Sequence, residues 1–320
     1  MGSSFSSWKD ITSGVPQGSV MGPLLFNFFL NDFFFFIEKS STTNFADDNT
    51  IYASGDNIED VIYKLETDIE NALNWFDANG MVANPKKFQL MFLGTKQRVK
   101  LCLKIGKKYC LSTPSVILLG IEVDWRLNFN NHASNITEKA KNKSKSLARL
   151  RYKLDPTQKT ILYHSYILSA FEYCPIIWMF CGKSSNEEME RVQKNTLRII
   201  YNDYDSDFDT LLSRGKHLRI HEINKRKLLT EVYKCLNNLN PIFINDLFTK
   251  KNLNFNLRNS NLLELNRTRT LTYGLKSIVY RGSRAWNDLN PRLKTAQSLN
   301  DFKNLLKDEL IVKCSCHLCQ

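Results

Sequence analysis

Two adjacent aspartates, Asp47 and Asp48, sit in the stretch "NFADDNTIYAS" between two short arms that read as strands, with no cation beside them. Neighbouring side chains on an ideal strand point to opposite faces, but at a hairpin tip both carboxylates can approach one ion. Like charges this close repel, and a divalent cation would more than offset the repulsion. Hard carboxylate oxygens without a His or Cys partner suit Mg2+ or Mn2+ rather than zinc. Carboxylate-held metal pairs serve phosphoryl transfer. A solvated acidic turn is the competing reading of the same residues.

The second stretch with chemical potential is "SGVPQGSVMGP". Gly14 and Gly18 allow positive φ and a close backbone approach to a flat ligand. Pro16 stiffens the turn, and Gln17 offers both a donor and an acceptor. No Lys follows the second glycine, so this is not a Walker-type phosphate loop. A third feature is basic. Between Glu138 and Lys159 stand Lys139, Lys141, Lys143, Lys145, Arg149, Arg151, Lys153 and Lys159 against two acids, which is half of the chain's net charge of +12. Ile136, Ala140, Leu147, Leu150 and Leu154 form an apolar stripe there, leaving the cations on outward faces. Such a helix suits the phosphates of a nucleic-acid duplex, with salt-sensitive binding.

The elements that must position these residues follow from periodicity. Pro23 predicts a helix running to about Lys39. Thr43–Ala46 and Thr50–Ser54 are the arms of the aspartate hairpin. Between Asn57 and Ala78, Ile58, Val61, Ile62, Leu65, Ile69, Leu73 and Phe76 recur at helical steps, with Gly80 as the stop. Strands are predicted at Gln89–Leu93, Val99–Ile105 and Val116–Val123. Past Asn131 the signal turns helical, over about 132–153, 156–174, 185–201 and 219–238. The fold class predicted is α+β.

Composition adds limits. The 320 residues, 42% of them hydrophobic, describe a globular chain of one large or several smaller domains. A pI near 9.2 favours polyanionic partners. Eight scattered cysteines without a secretory leader predict an intracellular protein, nuclear or cytoplasmic and not secreted. The apolar runs "PLLFNFFLNDFFFFI" and "ILSAFEYCPIIWMFC" are too short for a bilayer and read as buried helices, with Phe33–Phe36 in the core; no membrane span is predicted. The "KCSCHLCQ" terminus is too tightly spaced for an ordinary zinc site, and His217 with His221 lacks an evident third ligand.

The loop at 14–23 and the "FADD" segment together resemble the reverse transcriptases of non-LTR retrotransposons, the jockey-like group in particular. "NGMVANPKKFQLMFLG" is similar to that family's next palm motif, and "VILLGIEVDWRLNFNNH" to its primer-grip hairpin. "LYHSYILSAFEYCPIIWMFCG", "ERVQKNTLRIIY" and "YRGSRAWNDLNPRL" are similar to the thumb and the trailing helices. The resemblance implies a partial polymerase palm (an antiparallel sheet with packed helices) over 1–130, thumb-like helices over 131–182 and a C-terminal helical region over 183–320.

It also implies roles. Asp47 and Asp48 would be catalytic, holding Mg2+ or Mn2+. Gly14, Pro16, Gln17 and Gly18 would meet nucleotide or template, and Lys86 would face the triphosphate. Leu119 and Gly120 would belong to the primer grip, while Lys139, Lys143, Lys145, Arg149 and Arg151 would contact duplex phosphates. Partners would be an RNA template, a DNA primer and deoxynucleoside triphosphates. In the family a third catalytic aspartate lies upstream of the glycine-proline loop, yet only thirteen residues precede Gly14. The expectation is an N-terminally truncated polymerase, inactive alone, or else a non-catalytic nucleic-acid-binding remnant.

Overall fold

The computed structural model describes residues 5–8, 10, 14–94, 99–251 and 262–309. Helices and small antiparallel ladders make it an α+β chain, and it divides into two units, Met1–Leu119 and Gly120–Gln320.

In the first unit, Gly14 and Gly18 adopt left-handed φ of 78° and 84°, conformations that a Cβ would strain. The loop hands over to α1 (Gly22–Phe29), with Pro23 in its first turn. The predicted helix to Lys39 is not continuous: α1 ends at Phe29, and a single 3-10 turn, Phe33–Phe36, follows. Nor is the run buried throughout, since only Gly22, Leu30 and Phe33 are buried. Phe33 packs on Trp75 and Phe76, both at 5.3 Å between ring centroids. Phe28 and Phe35 remain 81% and 78% exposed. A segment apolar on every side needs cover on every side, and its neighbours in this unit cover one flank.

Strands β1 (Ser41–Phe45) and β2 (Asp48–Tyr52) pair antiparallel, with Phe45 opposite Asp48. They lead into α2 (Ile58–Ala78), whose N-cap Asn57 accepts from the Glu59 amide. The buried stripe of α2 runs Val61, Asp68, Ala72, Trp75. Asp68 therefore occupies a core position. Its carboxylate accepts from the backbone N–H groups of Glu38, Lys39 and Ser40 (3.2, 2.9 and 2.6 Å) and from the Ser40 hydroxyl. This fixes the three residues that feed β1.

Strands β3 (Cys102–Ile105) and β4 (Lys108–Leu111) form a second hairpin across Gly106 and Lys107, and β5 (Ser115–Leu118) closes the unit. The strand predicted at Gln89–Leu93 is reduced to one bridge, Leu90 with Ser112, because no continuous partner lies alongside it among the described residues. The predicted strand at 99–105 shortens to β3.

The second unit opens with β6 (Ile121–Asp124), where the Asp124 carboxylate accepts from the amides of Arg126, Asn128 and Phe129. Next come α3 (Asn130–Arg149), α4 (Pro156–Leu162), a π turn (Tyr163–Leu168), α5 (Ser169–Glu172), α6 (Pro175–Trp178) and α7 (Lys183–Tyr201). The predicted 156–174 helix runs from Pro156 to Glu172 with a π turn inside it, and Cys174, at φ 43° before Pro175, marks its end. Ala133, Ala140 and Leu147 of α3 share a core with Met189, Val192 and Leu197 of α7, and the hydroxyls of Thr196 and Ser144 meet across it.

α8 (Phe208–Arg214) adds Leu211 and Leu212 to that core, and a second core gathers α9 (Ile220–Leu236), α11 (Ile278–Asn287) and α13 (Leu299–Glu309), with α10 (Ile242–Asn245) and α12 (Pro291–Lys294) between them in sequence. Tyr233 stacks on Phe302 at 4.4 Å. Gly282 is the close contact here: a Cβ would lie 2.8 Å from the Phe248 ring and 3.1 Å from Val232. Gly282→Val should cost on the order of 2 kcal/mol through overpacking. A denaturant melt checks this, and an unchanged midpoint would contradict it.

Candidate active site and nucleic-acid surface

The aspartate hairpin turns through Ala46 and Asp47. Ala46 is left-handed at φ 53°, which lets a two-residue loop close the ladder. Two asparagines brace that loop. Asn44 Nδ2 donates to the Ala46 carbonyl at 2.8 Å and to Asn49 Oδ1 at 2.7 Å, and Asn49 Nδ2 reaches the Asp47 carbonyl at 3.4 Å. They occupy opposed positions in the register. Sequence reasoning missed them, although the Asn-Phe-Ala-Asp-Asp-Asn symmetry was its signal.

Asp47 and part of the glycine-proline loop line one shallow cavity of about 400 Å³. Its wall includes Val15, Pro16, Gln17, Gly18, Ala46 and Asp47. Gly14, Asp48 and Lys86 are not among its lining residues. Asp48 is the first residue of β2 and shares the Phe45, Thr43 and Tyr52 face of the ladder. Both carboxylates are exposed, and neither forms an ion pair among the described residues. Lys86 lies in a 3-10 turn (Pro85–Lys87) whose start is capped by Asn84, and its side chain is exposed. Leu119 and Gly120, at φ 47° and 81°, form the left-handed pair between β5 and β6.

On α3 the cations divide. With about 100° of rotation per residue, Lys139 and Lys143 share one flank, while Lys145 falls roughly 160° around the helix from Lys143. Arg149 points straight out from the buried stripe, to within about 20°. Lys143 sits 4.5 Å above the Tyr166 ring. Arg151 lies beyond the helix and donates to Tyr152 and Tyr204. None of these five forms an ion pair among the described residues. Two sequence expectations change: Lys159 is buried rather than outward, and Leu150 is exposed rather than part of the apolar stripe.

Among the described residues, no three or more His, Cys, Asp or Glu are gathered for a metal. The Cys314, Cys316, His317 and Cys319 cluster lies outside the described residues. His217 bonds to the Tyr201 hydroxyl at 3.1 Å, and burial, aided by the His164 charge, pushes it down to about 4. No helix among the described residues is long and apolar enough to cross a membrane.

Residues 3–123, which hold the loop, the aspartate hairpin and β3–β5, match the reverse transcriptase (RNA-dependent DNA polymerase) family. That part of the chain is thus similar to the reverse transcriptases. Two relatives come from Drosophila melanogaster. One is the "probable RNA-directed DNA polymerase from transposon X-element", 26% identical over 62% of this chain and 23% of the relative. The other is the "RNA-directed DNA polymerase from mobile element jockey", 24% identical over 61% of this chain and 22% of the relative. The chain is similar to these reverse transcriptases over part of its length, and it spans less than a quarter of either relative's length. No solved structure matches it.

Proposed function

We propose that this chain is a segment of a mobile-element RNA-directed DNA polymerase, whose intact form extends a DNA primer on an RNA template from deoxynucleoside triphosphates. The observation that carries the reading is the shared cavity of Asp47 with Pro16, Gln17 and Gly18. In this reading the first unit is a partial palm. The helices to about residue 182 act as a thumb, and those beyond form a C-terminal helical region. The cavity residues meet nucleotide and template, Lys86 serves the triphosphate, and Leu119–Gly120 belongs to the primer grip.

The donor chemistry fits a hard divalent cation. Asp47 is exposed, forms no ion pair among the described residues and lines the cavity, with Asp48 next in sequence. Asp47 and Asp48 would hold Mg2+ or Mn2+, which in this class of chemistry activates the attacking oxygen and steadies the leaving pyrophosphate. Two carboxylates from one turn do not bracket a pair of metals roughly 4 Å apart. The proposal therefore needs a third carboxylate beside the Asp47 turn, and without one the chain is inactive or nearly so. The α3 cations then give a second reading, a non-catalytic nucleic-acid-binding remnant working inside the cell.

Titrating the intact chain with an RNA–DNA hybrid, alongside primer extension on an RNA template in Mg2+, tests both. The expected result is binding that weakens on the order of a hundredfold between about 50 and about 200 mM salt, as four phosphate contacts require, and no extended product. Salt-independent binding, or none, would overturn the nucleic-acid reading. Extension by the chain alone would overturn its inactivity.

A further inference from the structure

We infer that Arg151, Tyr152 and Tyr204 form a platform for one unpaired nucleotide of a single-stranded nucleic acid, taking its base on a tyrosine ring and its phosphate on the guanidinium. The inference rests on the nucleic-acid reading above and adds to it the state of the ligand.

The platform is assembled from two places in the chain. After α3 the backbone is pinned by Arg151 N–H to Ala148 O (3.3 Å) and Lys153 N–H to Leu150 O (2.9 Å). Tyr204 comes from the loop after α7. There Asp203 accepts from the Ser206 hydroxyl and amide and pairs with Arg214 at 2.8 Å; the Ser206 bonds first, and then Arg214, hold its carboxyl down to about 2. Arg151 joins the two segments. Its Nη2 donates to Tyr152 Oη at 2.7 Å and its Nη1 to Tyr204 Oη at 3.2 Å, with the guanidinium carbon 4.6 Å from the Tyr152 ring centroid.

Three features point to a ligand. Tyr152 is 81% exposed and Tyr204 48%, so neither ring is explained by core packing. The partners of Arg151 are phenol hydroxyls, and among the described residues it forms no ion pair. Of the acids nearest in sequence, Asp155 caps α4 through the Gln158 amide and Asp203 is held in its own loop, and Asp205 forms no ion pair with Arg151 among the described residues. Among the described residues, two of the five guanidinium N–H donors are used, leaving three for a phosphate. Lys145, Arg149 and Lys153 supply further cations on the adjoining segment, none in an ion pair among the described residues. Exposed aromatic rings joined to an unneutralised guanidinium suit a splayed base and its phosphate. A duplex keeps its base faces stacked and has none to offer.

Fluorescence anisotropy of the intact chain tests this, using a labelled oligothymidylate and an abasic strand of equal length at low salt. The base-bearing strand should bind about tenfold tighter. Tyr152→Ala should remove that preference without changing abasic binding or the salt slope, and Tyr152→Trp should restore it. An unchanged helical circular dichroism signal shows that the variants fold. Equal affinity of the wild type for both strands, or equal weakening of both by Tyr152→Ala, would overturn the platform and leave the phosphate-binding reading intact. If neither strand binds, the nucleic-acid reading itself fails and the platform fails with it.

Discussion

Asp68→Ala is expected to lower the stability of the first unit by about 3 kcal/mol or more. The carboxylate is fully buried and holds three consecutive backbone N–H groups and one hydroxyl. A hydrogen bond to a charged group is worth roughly 1.5–3 kcal/mol, and each buried donor left without a partner adds a desolvation cost of about 1–3 kcal/mol. Part of that cost is relieved if the 38–40 segment opens to water, so the lower end of the range is the firm expectation. Opening that segment also releases the start of β1 and, through it, the Asp47 turn.

Burial pushes Asp68 up, but the Ser40 hydroxyl and the three amides together outweigh burial and hold it below the usual carboxylate range. A group depressed on folding stabilises fully above its unfolded value near about 3.9. That stabilisation fades as pH falls through the lower folded value. Urea melts at pH 7 and at decreasing acid pH should therefore show wild type and Asp68→Ala converging in acid. Parallel curves at every pH would contradict the assignment.

The second large effect concerns Asp47. In a polymerase completed around this segment, Asp47→Asn should reduce primer extension about a thousandfold or more. Asparagine keeps the shape but removes a charged oxygen ligand, and transition-state charge stabilisation by a metal is worth several kcal/mol. The same substitution should leave the melting midpoint unchanged within about 0.5 kcal/mol, because the side chain is exposed and without an ion pair among the described residues. Retained extension with a normal melt would remove Asp47 from the chemistry.

Much of the fold was legible where periodicity and caps agree. The predicted helices at 185–201 and 219–238 are found at Lys183–Tyr201 and Ile220–Leu236, and the predicted Asn57–Ala78 helix at Ile58–Ala78. The 22–37 run misled because hydrophobicity alone does not say how many sides will be covered. The 89–93 strand misled because a strand is defined by a partner, which no local pattern contains. At the candidate site, the aspartates and the glycine-proline loop declare themselves by residue type. Asn44 and Asn49 act only once the register sets them opposite each other. Asp68 was legible in principle, since it falls on the same helical stripe as Val61, Ala72 and Trp75, where an acid needs a reason.

The bare flank of α1 bears on survival as well as on assembly. Aromatic rings held open to water are what quality-control machinery recognises in incompletely assembled chains. Left alone, the segment is thus a ready client for chaperones and proteases, and its persistence in a cell is governed by how soon something shelters Phe28 and Phe35.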